Sequence, residues 1–155
     1  MPESKPKQQF TDPTAGPLLS ARFIVALVLV AAGIAWILYY YLAIRTESGT
    51  PMTDGPKAVR DLGDWNYLIG FGVFFVGLMA SAHPKTPLGR GRGVVVGMLG
   101  CFVLGLLWIC TFYVFSESIG LGTSDIPVFN DLGQKNLGVG IAFMAVGFTF
   151  ATRWE

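Results

Sequence analysis

The side chains with the widest chemical repertoire in this sequence are two cysteines and one histidine. Cys101 and Cys110 lie inside one uncharged apolar stretch, where a thiol behaves as a small hydrophobic group. His83 lies beside Pro84 at the end of another such stretch, where a lone histidine is more often a solvated polar residue than a ligand. No Ser/His/Asp set, Cys/His set or metal-ligand spacing can be assembled. We therefore predict no catalytic residue, no cofactor and no metal, and a protein that is not an enzyme.

A basic, loop-like segment extends from Gly89 to Gly93 and alternates glycine with arginine. It follows no predicted strand and fits no nucleotide-binding fingerprint, so it is not interpreted as a phosphate site. The net charge of the whole chain is only +1, which gives no electrostatic reason to expect a nucleic-acid partner.

The segments that carry these residues are unusually apolar. Hydrophobic residues make up 52% of the chain and charged residues 14%, whereas a soluble domain has about 25% charged residues. The mean hydropathy is +0.55. The charges are clustered, and the long stretches between them contain none. This pattern is typical of a membrane protein, in which lipid covers the apolar surface.

Four uncharged stretches predict four membrane-spanning helices, at residues 23–44, 65–82, 93–116 and 136–152. The first is about 33 Å long as a helix, too long for a signal-peptide core, so we interpret it as a retained signal anchor. Residues 1–22 contain four prolines and predict a flexible tail. The expected fold class is an all-α integral membrane protein.

Positive charge is distributed unevenly among the connecting segments. The tail 1–22, the loop 84–92 and the C-terminus together contain seven Lys and Arg residues, whereas the two other loops contain four. By the positive-inside rule, both termini and the loop 84–92 are expected in the cytoplasm.

The sequence repeats itself at a period of about 70 residues. Asp61-Leu62-Gly63 corresponds to Asp131-Leu132-Gly133, and the segment Gly33–Ile37 corresponds to Gly105–Ile109. Each copy contains two predicted helices, so both copies enter the membrane from the same side. We predict two tandem transmembrane hairpins in parallel orientation, at residues 23–83 and 93–155.

The predicted helices contain many small residues and no ionisable ones. Transporters usually carry ionisable side chains within the membrane for ion or proton coupling, so the absence of such residues argues against a transporter. Glycines, in contrast, allow helices to approach one another closely in lipid. These glycines either pack the chain against itself or dock the single-span helices of other proteins, and a homo-oligomer would use the same surfaces. The two tryptophans within the helices are expected to pack against the neighbouring helix of their hairpin. The candidate packing and docking residues are Gly33, Trp36, Gly70, Gly72, Gly77, Gly93, Gly97, Gly105, Trp108, Gly140 and Gly147.

Asn66 and Asn136 occupy equivalent positions where the second helix of each copy begins. Asparagine at such a position either caps the free backbone N–H groups of the helix or recognises a partner. Both interpretations are kept.

Several short motifs, in order, resemble the actinobacterial cell-division protein family CrgA. The first copy carries Gly33 and Trp36 followed by the segment Asp61–Tyr67, and the chain closes with Arg153 and Trp154. The first copy lacks the closing Arg-Trp, and the second has Lys and Leu where the motif has Trp and Tyr. The motif residues are Asp61, Gly63, Trp65, Asn66, Tyr67, Asp131, Gly133, Asn136, Arg153 and Trp154.

The resemblance implies a non-enzymatic septation factor in the cell membrane, at the division septum. It implies association with the ring protein FtsZ and with septal peptidoglycan proteins such as FtsQ and FtsI. The alternative function is an accessory subunit of a respiratory or secretion complex.

Overall fold

The computed structural model describes residues 19–45, 55–115 and 128–153, and this part of the chain is helical without any strand. The all-helical class expected from the sequence is confirmed. The tail before residue 19 and Trp154 lie outside the described residues. The helices are α1 (Ala21–Tyr39, continued by a π-helical turn, Tyr40–Ile44), α2 (Lys57–Leu62), α3 (Trp65–Ser81), α4 (Arg92–Phe115), α5 (Phe129–Leu132) and α6 (Lys135–Ala151).

The first helix begins before the uncharged stretch that predicts it. The hydroxyl oxygen of Ser20 accepts a hydrogen bond from the backbone N–H of Phe23 at 3.2 Å and caps the helix start. Ala21 and Arg22 therefore belong to α1 and not to a tail that ends at residue 22.

The long helices form two hairpins, because α1 packs against α3 and α4 packs against α6. In the first hairpin, a Cβ atom added to Gly33 would lie 2.6 Å from the carbonyl oxygen of Gly70. In the second, a Cβ atom on Gly105 would lie 2.7 Å from the carbonyl oxygen of Gly140. The repeated glycines thus produce the same close helix crossing in both copies.

The two hairpins meet along α3 and α6. Aromatic rings fill this junction: Phe75 and Phe143 meet edge to face with their centroids 4.9 Å apart, and Phe71 meets Trp108 at 5.3 Å. Edge-to-face pairs of this kind add stability beyond the area that they bury.

The outer helices α1, with its π-helical turn, and α4 are apolar on all sides. Each covers 24 residues, and only 17% of its most apolar stretch is buried. An all-apolar helix in a soluble domain would be buried in the core. By length and composition, these two helices of the described chain can cross a membrane, while α3 and α6 are apolar but shorter, at 17 residues each.

Candidate interaction sites

The residues with the widest chemical repertoire do not come together. Cys101 is buried on α4, Cys110 is exposed on the same helix, and His83 contacts Arg22 beyond the end of α3. Among the described residues, no group of three or more His, Cys, Asp or Glu side chains could hold a metal ion. Helix contacts and polar junctions are therefore the candidate sites.

The asparagine three residues after each Asp-Leu-Gly motif makes the same pair of hydrogen bonds in both copies, and we name this arrangement the polar latch. In the first copy, the side-chain amide nitrogen of Asn66 donates hydrogen bonds to the carbonyl oxygens of Val59, at 2.7 Å, and Gly63, at 2.8 Å. In the second, Asn136 donates to Phe129 and Gly133 at the same two distances. Both asparagines are completely buried.

The latch depends on glycine, because Gly63 and Gly133 both have a φ of +49°. That backbone geometry turns the chain from the short helix (α2 or α5) into the long one. The capping interpretation of Asn66 and Asn136 is wrong, because the residues at the cap positions are Asp64 and Gln134. Each asparagine instead joins the start of its long helix to the preceding short helix and to the glycine that follows that short helix.

Replacing Asn66 with alanine is expected to lower the free energy of unfolding by about 1–3 kcal/mol, because the carbonyl oxygen of Val59 loses its side-chain donor and that of Gly63 keeps only the backbone N–H of residue 66. Asn66→Asp keeps the shape but removes both N–H donors, so we expect it to be at least as destabilising at neutral pH. Unfolding in mixed micelles, followed by circular dichroism, measures both changes. An Asn66→Asp variant as stable as the parent would contradict the latch.

A second polar cluster joins the two hairpins at the end where α1 terminates. One carboxylate oxygen of Asp131 accepts a hydrogen bond from the Tyr67 hydroxyl at 2.7 Å and pairs with Nε of Arg45 at 2.6 Å. Tyr67 is completely buried, and its ring packs edge to face against Tyr40 with the centroids 4.9 Å apart. We name Arg45, Tyr67 and Asp131 the interhairpin clamp, because the first two belong to one hairpin and Asp131 to the other.

Trp65 and Lys135, which occupy the same position in the two copies, also contact each other beside the interhairpin clamp. The ammonium group of Lys135 lies 5.2 Å from the centroid of the Trp65 ring, within the range of a cation–π contact. In the repeat, Lys135 takes the place of Trp65.

Most of the glycines proposed for packing or docking face inward. The glycines that leave too little space for a Cβ atom against the partner helix of their own hairpin are Gly33, Gly70, Gly77, Gly97, Gly105 and Gly140, and a Cβ atom on Gly147 would lie 3.0 Å from the Phe102 ring. Packing within the chain is therefore the interpretation that the structure favours at these positions. Gly72 differs, because nothing lies within 4 Å of its Cβ position.

The tryptophans occupy different surroundings. Trp108 stacks on Phe129, with centroids 4.4 Å apart, at the interhairpin junction. Trp36 is partly buried, and the centroid of its ring lies 6.2 Å from that of Tyr39 on the same helix.

The basic loop between the hairpins is a compact series of turns. A Cβ atom on Gly89 or Gly93 would overlap a backbone carbonyl oxygen, and Gly91 has a φ of +52°. The buried Thr86 hydroxyl donates to the His83 carbonyl oxygen at 2.7 Å and accepts from the Gly89 N–H at 3.1 Å. These glycines are therefore required by the turn geometry.

Comparison with known proteins assigns the chain to a family. The sequence model described as "Cell division protein CrgA" matches it twice, over residues 1–85 and 80–155. The chain belongs to the CrgA family. It is 31% identical over 81 residues to a Cell division protein CrgA of Corynebacterium aurimucosum, covering 49% of this chain and 81% of the relative. It is 35% identical over 68 residues to that of Streptomyces avermitilis, covering 44% of this chain and 71% of the relative. No solved structure matches.

Membership of the CrgA family confirms the resemblance and places the chain among membrane-associated cell-division proteins. Each relative aligns with about half of this chain, as expected when a protein with one copy is compared with a tandem duplication.

The departures from the CrgA pattern lie where the two hairpins meet. The second copy has Lys135 and Leu137 where the first has Trp65 and Tyr67. In the structure, the Lys135 ammonium group contacts the Trp65 ring, while the Tyr67 hydroxyl donates to Asp131 of the other copy. The divergence between the copies therefore produces contacts between unlike surfaces of the two hairpins.

Sequence reasoning missed Arg45 and Thr86 as structural residues. A weak signal marked Arg45, because it follows an apolar stretch directly on the side that carries fewer positive charges. No sequence signal distinguished Thr86 from other loop residues.

Of the closing Arg-Trp motif, Arg153 lies beside His83 in a crevice between the hairpins, and Trp154 lies outside the described part of the chain.

Proposed function

We propose that the chain is a non-enzymatic membrane adaptor of cell division. It coordinates FtsZ-ring assembly with septal peptidoglycan synthesis through contacts with FtsQ- or FtsI-like single-span proteins. The family assignment supports the role in division, and the exposed apolar faces of α1 and α4 support lateral contacts within the membrane.

In this proposal, α1, α3, α4 and α6 all cross the bilayer. The shorter helices α3 and α6 are about 26 Å long, close to the hydrocarbon thickness of about 30 Å. Charged side chains of the described residues lie at the two ends of the hairpins and not along them. The end with Arg22, Lys85, Arg90, Arg92 and Arg153 carries no acid among the described residues, so it is the cytoplasmic end by the positive-inside rule.

The observation that carries the adaptor proposal is a set of outward-facing glycines on helices that contain no charged residue beyond their first. Gly72, Gly100 and Gly138 are exposed, and no atom lies within 4 Å of their Cβ positions. Helices associate in lipid by close packing at such small residues, since apolar surface alone provides no drive. Docking is therefore assigned to the face of α3 that carries Gly72, while Gly70 and Gly77 hold the hairpin together.

We expect a fluorescent fusion of the full chain to concentrate at the septum and to co-purify with FtsQ- or FtsI-like proteins. Gly72→Leu should reduce this co-purification several-fold without loss of folded protein, because it blocks close approach to α3. Val76→Leu, one helical turn away on the same exposed face, replaces one bulky side chain with another and closes no gap, so as the control it should have little effect. A uniform membrane signal would favour the respiratory or secretion alternative, and unchanged capture by Gly72→Leu would contradict the docking face.

A further inference from the structure

A crevice of about 500 Å³ opens between the hairpins at the end opposite the interhairpin clamp. Its walls come from the start of α1 and the ends of α3 and α6, and they are apolar. Val25, Met79 and Ala80 line it directly. Two threonines also line it, but the Thr149 and Thr152 hydroxyls donate to carbonyl oxygens of their own helix. The volume lies within the range of about 300–1,000 Å³ that is usual for small-molecule sites.

The mouth of this crevice is positively charged. Arg22 from α1 and Arg153 after α6 line it together with His83, which is hydrogen-bonded to Arg22. The described acidic residues, Asp61, Asp64 and Asp131, all lie on segments at the other end of the hairpins. Desolvation lowers the pKa of His83 below its ordinary value, and the positive charges of Arg22, Arg153 and Lys85 lower it further. The mouth therefore has cations that no described acid neutralises.

We propose that this crevice binds one anionic phospholipid, with its phosphate between Arg22 and Arg153 and an acyl chain against Val25 and Met79. An apolar channel below a pair of arginines matches the two parts of such a lipid. Basic pockets between membrane helices on the cytoplasmic side are known to bind anionic head groups. The proposal rests on the membrane placement given above but not on any division partner.

The test titrates the purified full chain in neutral detergent with phosphatidylglycerol or phosphatidylcholine and counts bound lipid by native mass spectrometry. We expect one tightly bound phosphatidylglycerol and weaker binding of phosphatidylcholine. The double variant Arg22→Gln with Arg153→Gln should bind phosphatidylglycerol about thirtyfold more weakly. Lys57→Gln with Arg92→Gln removes the same charge outside the crevice and should retain binding.

Two further arms separate a lipid from a free phosphate. Ala80→Phe fills the crevice while it leaves every charge in place, so it should abolish tight lipid binding. Glycerol 3-phosphate, which has the head group without a chain, should not compete at millimolar concentration. Circular dichroism of each variant confirms that it is folded.

The NMR signals of His83 give an independent readout, because it is the single histidine of the chain. Bound phosphate would favour the protonated ring, so its pKa should rise on addition of phosphatidylglycerol. Equal binding of both lipids, full binding by the double arginine variant, or effective competition by glycerol 3-phosphate would each overturn the proposal. Septal localisation of the chain would be unaffected by that failure, so the two proposals fail separately.

Discussion

Replacing Gly33 with leucine is expected to separate α1 from α3 and to lower the free energy of unfolding by about 3 kcal/mol or more. A Cβ atom at Gly33 would lie 2.6 Å from both the Gly70 carbonyl oxygen and the Phe74 backbone nitrogen. Both are backbone atoms, so no rotamer change relieves the overlap and the helices must move apart. In lipid, that movement removes the close packing that holds the pair together. Steric trapping in bicelles measures the loss.

The second hairpin provides the matched control on a single helix. Gly105 and Gly100 both lie on α4, but a Cβ atom on Gly105 would meet the Gly140 carbonyl oxygen at 2.7 Å, whereas Gly100 faces open space. Gly105→Leu should therefore destabilise the hairpin as Gly33→Leu does. Gly100→Leu makes the same chemical change and should leave stability within about 0.5 kcal/mol of the parent. Equal stability of the two α4 variants would contradict the packing described.

The second large effect is expected at the interhairpin clamp. Asp131→Ala removes the carboxylate group, one oxygen of which accepts from the Tyr67 hydroxyl and pairs with Arg45 Nε. The completely buried tyrosine then loses its hydrogen-bond acceptor and the arginine its counter-charge. Because the ion pair is partly exposed, at 22% for Arg45 and 15% for Asp131, we expect a loss of about 2 kcal/mol, below that for a fully buried pair.

The readout for Asp131→Ala is the distribution of distances between spin labels placed on α1 and α4. This distribution should broaden as the hairpins separate. The duplication provides the control, because Asp61 is the equivalent residue of the first copy and is exposed. Asp61→Ala should leave both the distance and the stability nearly unchanged. Tyr67→Phe, which removes only the hydroxyl, should change the distance and the stability by an amount between those of the two aspartate variants. A similar response of Asp61→Ala and Asp131→Ala would show that the clamp does not hold the hairpins together.

Local features of the fold could be predicted from the sequence because they depend on residue type alone. Charge is absent from α1, α3, α4 and α6 beyond their first two residues, and such stretches form helices to satisfy their backbone hydrogen bonds in apolar surroundings. The period of about 70 residues indicated the duplication, and both latches have the same geometry in the structure.

The direction that each helix faces could not be predicted. A helix of a soluble protein has one apolar stripe, which shows the side that is buried. Here the helices are apolar all round, so periodicity carries no such signal. Gly70 and Gly72 are two positions apart on α3, yet one contacts α1 and the other is open. Sequence reasoning treated them alike for that reason.

By itself, therefore, the sequence determined the helical class, the tandem repeat and the family, because these follow from composition and from short motifs in order. Only the tertiary structure decided which glycines pack internally, that Asn66 is a latch, and that Asp131 rather than Asp61 joins the hairpins. The physical reason is that Asp131 acquires its role from Arg45 and Tyr67, which lie at least 64 positions away in the chain. Neither local propensity nor polarity encodes a contact over that separation.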